Sequence, residues 1–106
     1  MKKPFVFIFH KGLRKLSEEE EKQRTGEVRA WALQQIKEGR GLEPRILGDE
    51  SVRLEGTSAS ANDPLVIAFN FIEAADFSEA VTIAKTHPGL RYGVSIEVRP
   101  WSDPRA

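Results

Sequence analysis

The sequence predicts an α+β domain, an antiparallel sheet with two helices packed on one of its faces. Three observations lead there. Two segments carry helix-capping residues ahead of apolar positions at helical spacing. Short β-branched and aromatic runs alternate with them. The 106 residues, 40% hydrophobic and 30% charged, suit one domain, residues 1–106, that buries a core without covalent staples.

Phe5 to His10 is an apolar, aromatic run that reads as the first strand, closed by Gly12. Ser17 stands three residues before Glu20, the capping-box spacing, and opens a first helix that runs to Glu38. Glu18 to Glu21 put negative charge on its first turn, where the helix dipole favours it. Glu18 with Lys22 and Glu20 with Arg24 have the spacing of ion pairs along a helix. Val28, Trp31, Ala32, Gln35 and Ile36 form the expected inward stripe, with Leu33 at its margin, and Gly39 and Gly41 end the helix.

Pro44 to Leu54 reads as a hairpin, with Arg45-Ile46-Leu47 and Val52-Arg53-Leu54 flanking a turn at Gly48-Asp49-Glu50-Ser51. Gly56 to Pro64 is a loop of small polar residues, and Leu65 to Ile72 is a second long strand. Asp76, with Glu79 three residues on, caps a second helix whose stripe is Phe77, Ala80, Val81 and Ala84 and which Pro88-Gly89 stops. Tyr92 to Val98 alternates apolar and polar residues, the period of a half-buried strand. The order of strand, helix, hairpin, strand, helix, strand is that of a ferredoxin-like layer.

Composition excludes several functions. Lys plus Arg and Asp plus Glu each number 16, so the chain lacks the basic excess of a nucleic-acid binder. No apolar run reaches the roughly 18–20 residues that span a bilayer. The apolar run after Met1-Lys2-Lys3 ends at His10-Lys11, too short for a signal peptide, so a cytoplasmic protein is expected. No cysteine is present, which removes disulfides, thiol nucleophiles and cysteine metal sites. The two histidines and scattered acids make no metal-site spacing, Gly39-Arg40-Gly41 lacks the context of a phosphate loop, and no serine elbow occurs; no cofactor is expected.

Both faces of the first and third strands are largely apolar. Alternation assigns Phe5, Phe7, Phe9, Ile67, Phe69, Phe71, Val94, Ile96 and Val98 to one face. Val6, Ile8, His10, Val66, Ala68, Asn70, Ile72, Ser95, Glu97 and Arg99 fall to the other. Two helices cover only one face, and each large apolar side chain left wet forfeits about 1.5–3 kcal/mol. A homodimer, with the bare faces covering each other, is the expected solution.

Ala84-Lys85-Thr86-His87-Pro88-Gly89-Leu90-Arg91-Tyr92-Gly93, followed by Ser95-Ile96-Glu97-Val98-Arg99-Pro100, resembles the closing motif of the YCII-related (DGPF) family. Ile72-Glu73-Ala74-Ala75-Asp76 and the order of elements are similar too. The resemblance implies a dimeric α/β barrel of two ferredoxin-like subunits. It also implies small-molecule chemistry, which in some members includes dehydrochlorination with a His–Asp pair. Asn62-Asp63-Pro64-Leu65 stands where one branch has Asp-Gly-Pro-Phe, the first helix holds no histidine, and His87 precedes Pro88 where the aspartate would be expected. The family dyad therefore does not carry over.

His10 is the leading candidate for catalysis, as an acid–base group on the face shared with Asn70, Ser95, Glu97 and Arg99; its bland alternative is a strand-end histidine bonded to a turn carbonyl or water. His87 is the second candidate, weighed against a cation favoured by the helix C-terminus. Asp49 and Glu50 sit on the turn, and Arg14, Arg45 and Arg99 have the fork that grips a carboxylate ligand. Trp31 reads as core and Trp101 as the rim of a pocket or dimer. The expected function is small-molecule binding with His-based acid–base chemistry in a sheet-side pocket. A non-catalytic dimeric binding or accessory module is the alternative, and a purely structural oligomer component the third.

Overall fold

The computed structural model describes residues 1–57 and 65–105. The elements run β1 (Lys3–His10), α1 (Glu18–Lys37), β2 (Glu43–Ile46), β3 (Val66–Ala74), α2 (Phe77–Lys85), a 3-10 turn (Pro88–Tyr92) and β4 (Ser95–Pro100). All strand pairings are antiparallel, in the spatial order β2-β3-β1-β4. With two helices, this order is compatible with a ferredoxin-like fold. The stretch from residue 58 to residue 64, including Asn62-Asp63-Pro64, lies outside the described residues.

Both helices start where their caps dictate. Ser17 Oγ accepts from the Glu20 amide at 3.1 Å, and Glu20 returns the bond to the Ser17 amide at 3.1 Å. Asp76 accepts from the Glu79 amide at 2.8 Å, while the Glu79 carboxylate reaches the amide of Ala75. Among the described residues neither Glu18–Lys22 nor Glu20–Arg24 closes as an ion pair; Glu20 pairs with Arg14 instead.

The hairpin from Pro44 to Leu54 does not form. Glu43 to Ile46 pair with Phe71 to Ala68 of β3, and Val52 and Leu54 stay 83% and 89% exposed. The long-range ladder offers β2 an edge of an existing sheet over a core, which a local hairpin with two wet faces does not. The last strand also starts later than its alternation suggests. His87 caps a 3-10 turn with Pro88 at its first position, and that turn takes up Tyr92.

Direct cross-strand partners share a face. Phe5, Phe7 and Phe9 pair with Ile72, Asn70 and Ala68 on one side and with Pro100, Val98 and Ile96 on the other. These positions face the helices. The core joins Phe5, Phe7, Phe9, Ile72 and Ala74 to Trp31, Leu42, Ala80, Ile83 and Ala84. Val6, Ile8 and His10 face the opposite way, with Phe71, Phe69 and Val66 and with Arg99, Glu97 and Ser95.

The face assignment of β3 is thus corrected. Phe69 and Phe71 stand on the open face, and Asn70 and Ile72 on the helix face. A register shift between Phe9 and His10 lets Ile67 turn back against the core. The helix stripes change as well. Trp31 and Gln35 are buried, but Leu33 and Ile36 are 62% and 56% exposed; on α2, Ile83 is buried while Phe77 is half exposed.

Gly12 sits where two backbones meet: a Cβ there would lie 1.9 Å from the Gly93 carbonyl oxygen. Gly93 itself has φ +94, which glycine adopts at little cost. The two glycines let the end of β1 pass the turn into β4, and so bring His10 beside Glu97. No helix among the described residues is long and apolar enough to cross a membrane.

Candidate functional site

The candidate residues fall into two groups on opposite faces of the sheet. His10 ends β1 on the open face, opposite Ser95 of β4. Glu97, two residues on and on the same face, brings Oε1 to 3.1 Å from His10 Nε2. The His10 side chain is 19% exposed and that of Glu97 46%. The second carboxylate oxygen of Glu97 lies 3.7 Å from Arg99 Nη1. A carboxylate is thus shared between an imidazole and a guanidinium along one strand edge.

His10 Nδ1 is enclosed and has no hydrogen-bond partner among the described residues. With Nε2 facing a carboxylate acceptor, the neutral ring carries its proton on Nε2 and leaves the lone pair on Nδ1. The pair borders a cleft of about 670 Å³. Ser51, Val52, Arg53, Leu65, Val66 and Ser95 line it together with the pair. Ser51, Val52 and Arg53 were invisible to sequence reasoning as cleft residues, because the expected hairpin placed Ser51 in its turn and Val52 and Arg53 in its second strand.

Asn70 is not part of this group. It pairs with Phe7, a fully buried core residue, and so points to the helix side. There it lines a cavity of about 340 Å³ with His87, Arg45 and Asp49. Arg45 lies in β2 opposite Phe69, and its guanidinium donates to the Pro44 carbonyl at 2.8 Å and approaches Glu43 at 3.5 Å.

His87 is not a cation at a helix end. The C-cap of α2 is Thr86, and His87 caps the following turn by accepting the Gly89 amide on Nδ1 at 2.9 Å. Its ring packs 4.8 Å from Phe9 and 4.6 Å from Trp31, between centroids. Burial among these rings pushes its pKa down to about 4, because the charged form loses water and gains no counter-charge.

Second-layer contacts hold this corner together. The Trp31 indole donates to Thr86 Oγ1 at 2.8 Å, which itself donates to the Ile83 carbonyl. Glu27 on α1 accepts from both Tyr92 and Arg91, and the carboxylate raises the Tyr92 pKa. Arg14 donates to the Arg91 carbonyl at 2.7 Å, so it serves the scaffold. Trp101 packs edge-on against Phe71 with centroids 5.5 Å apart and borders a separate groove with Pro4 and Glu43. Among the described residues, no three His, Asp or Glu side chains gather as a metal-binding group.

No family model matches the chain, and no curated protein matches it.

Proposed function

We propose that the chain is a homodimeric small-molecule-binding protein of the YCII-related type, in which His10, oriented by Glu97, supplies acid–base chemistry at the sheet-side cleft. The observation that carries this reading is the 3.1 Å contact between His10 Nε2 and Glu97 at the wall of a cleft of about 670 Å³. A carboxylate that accepts from one imidazole nitrogen fixes the tautomer and leaves the lone pair on the other nitrogen, the atom that takes a proton in acid–base chemistry. Arg53, which lines the cleft, adds a donor for an anionic group on the substrate, while Arg99 pairs with Glu97 and is not among the lining residues.

The dimer rests on the open face. Val6, Ile8, Phe69 and Phe71 lie outside the core cluster and on the side away from the helices. The molecule measures 43 × 40 × 22 Å, and its shortest dimension is about one sheet layer plus one helix layer. Val6 is already buried in the single chain; a second copy laid on that face would finish burying the partly exposed Ile8, Phe69 and Phe71 and close the cleft against water. The kinship rests on the closing phrase from Ala84 to Pro100.

The enclosure of Nδ1 favours a second reading, binding without turnover, since a substrate reaches that nitrogen only if the ring turns. Both readings are tested by screening small metabolites with the purified protein for thermal stabilisation and, by mass spectrometry, for new products. Turnover that disappears in His10→Ala while binding persists supports acid–base chemistry. Stabilisation with no product in the wild type supports the binding module. Light scattering is expected to give twice the 11.9 kDa of one chain, and a single-chain mass would remove the dimer.

A further inference from the structure

We propose that the helix-side cavity is a second ligand site, distinct from the His10 cleft and built for a small amphipathic monocarboxylate. It has about 340 Å³, the small end of ligand pockets. Phe9, Ile67 and Val94 give it apolar walls. Two buried polar side chains break those walls, Asn70 at 7% exposure and His87 at 6%.

Both have donors to offer. His87 spends Nδ1 on the Gly89 amide, so the neutral ring carries its proton on Nε2. Nothing among the described residues accepts from Nε2, and the Asn70 amide has no hydrogen-bond partner there either. Neither group is sealed in, because His10 Nδ1 is the one fully enclosed, unpartnered side-chain atom among the described residues. Both residues line this cavity, and both retain some exposure, so their unpartnered donors are within the reach of a ligand there. Buried donors held at an apolar wall select a ligand that brings an acceptor oxygen on an apolar body.

The charge at the cavity selects a carboxylate over a neutral carbonyl. Arg24 of α1 lines the cavity, is partly buried, and forms no ion pair among the described residues. Asp49 also lines it but lies exposed, where water and salt screen it. Arg45 directs its guanidinium to Pro44 and Glu43. The least screened charge facing a ligand is thus positive.

The test uses phenylacetate and its uncharged analogue phenylacetamide, followed by amide-shift NMR on the full chain. Phenylacetate is expected to saturate and to move the signals of Phe9, Ile67 and Gly89. Asn70→Leu, which keeps bulk and removes the amide, should weaken it about tenfold. Arg24→Gln should weaken phenylacetate about fivefold and leave phenylacetamide unchanged. His10→Ala should leave both unchanged, which separates this site from the cleft. No saturation by about 10 mM phenylacetate overturns the proposal. So does binding that His10→Ala abolishes. If Asn70→Leu fails to fold, Arg24→Gln decides alone, and wild-type affinity for phenylacetate in that variant overturns it.

Discussion

His87 accepts the amide of Gly89 on Nδ1 at 2.9 Å while its ring lies against Trp31 and Phe9, so one side chain caps a turn and fills the core. A protonated ring has no lone pair on Nδ1 and cannot keep the cap. The folded chain therefore holds His87 neutral, with a pKa of about 4 against 6.5 for a free histidine. Between those two values the unfolded chain binds more protons than the folded one. The resulting stability is fully present above about pH 6.5, falls as pH drops toward 4, and levels off below. Its size is about 3 kcal/mol for this group. Urea unfolding from pH 4 to pH 7.5 should show that slope in the wild type, and the slope should shrink in His87→Asn, which retains a capping side chain.

The His10–Glu97 contact should matter for the ring's state more than for stability. The pair is partly exposed, and such pairs contribute about 0–1 kcal/mol. Glu97→Ala should leave the melting curve nearly unmoved. Long-range ¹H–¹⁵N spectra of the His10 ring, taken at a pH where it is neutral, should show the Nε2–H form in the wild type and a mixture of tautomers in the variant. An unmixed Nε2–H spectrum in Glu97→Ala would mean that Glu97 does not orient the ring.

Gly12 and Gly26 form an opposed pair. Gly12→Ala drives a methyl into the Gly93 carbonyl, and since the obstacle is backbone, the loop must move. A loss of about 2–3 kcal/mol is expected. Gly26 lies inside α1 with nothing within 4 Å of a built Cβ. Gly26→Ala should stabilise by about 0.5–1 kcal/mol, the helix-propensity gain. Thermal melts of the two variants should shift in opposite directions.

Thr86→Val keeps the shape of the corner but removes the acceptor for the Trp31 indole. A buried donor left without a partner costs about 1–3 kcal/mol. The loss should appear in denaturant unfolding, with the Trp31 indole proton shifting in NMR as its bond is lost. A neutral result would mean that water takes the place of Thr86.

The helix starts were legible because caps are local: Ser17 with Glu20, and Asp76 with Glu79, need only their neighbours in the chain. The β1 and β4 faces were legible too, since Phe5, Phe7 and Phe9 alternate with Val6, Ile8 and His10, and Glu97 and Arg99 mark the wet side of β4. That placed His10 with Glu97. The face of β3 was misread because Ile67 to Ile72 is apolar on both sides apart from Asn70, so hydrophobicity does not set its phase. The useful signal was Glu73, which is exposed and shares its parity with Phe69 and Phe71.

The amino-acid order by itself determined both helices with their caps, the β1 and β3 segments and the alternation within β1 and β4, because these depend on residues a few positions apart. Only the tertiary structure decided which face of β3 meets which face of β1, that β2 joins β3 and leaves Val52 and Leu54 unpaired, and that Asn70 stands with His87 and away from His10. Those outcomes belong to the hydrogen-bond register between strands far apart in the chain. A shift of one residue there inverts a strand's faces while leaving its own alternation unchanged.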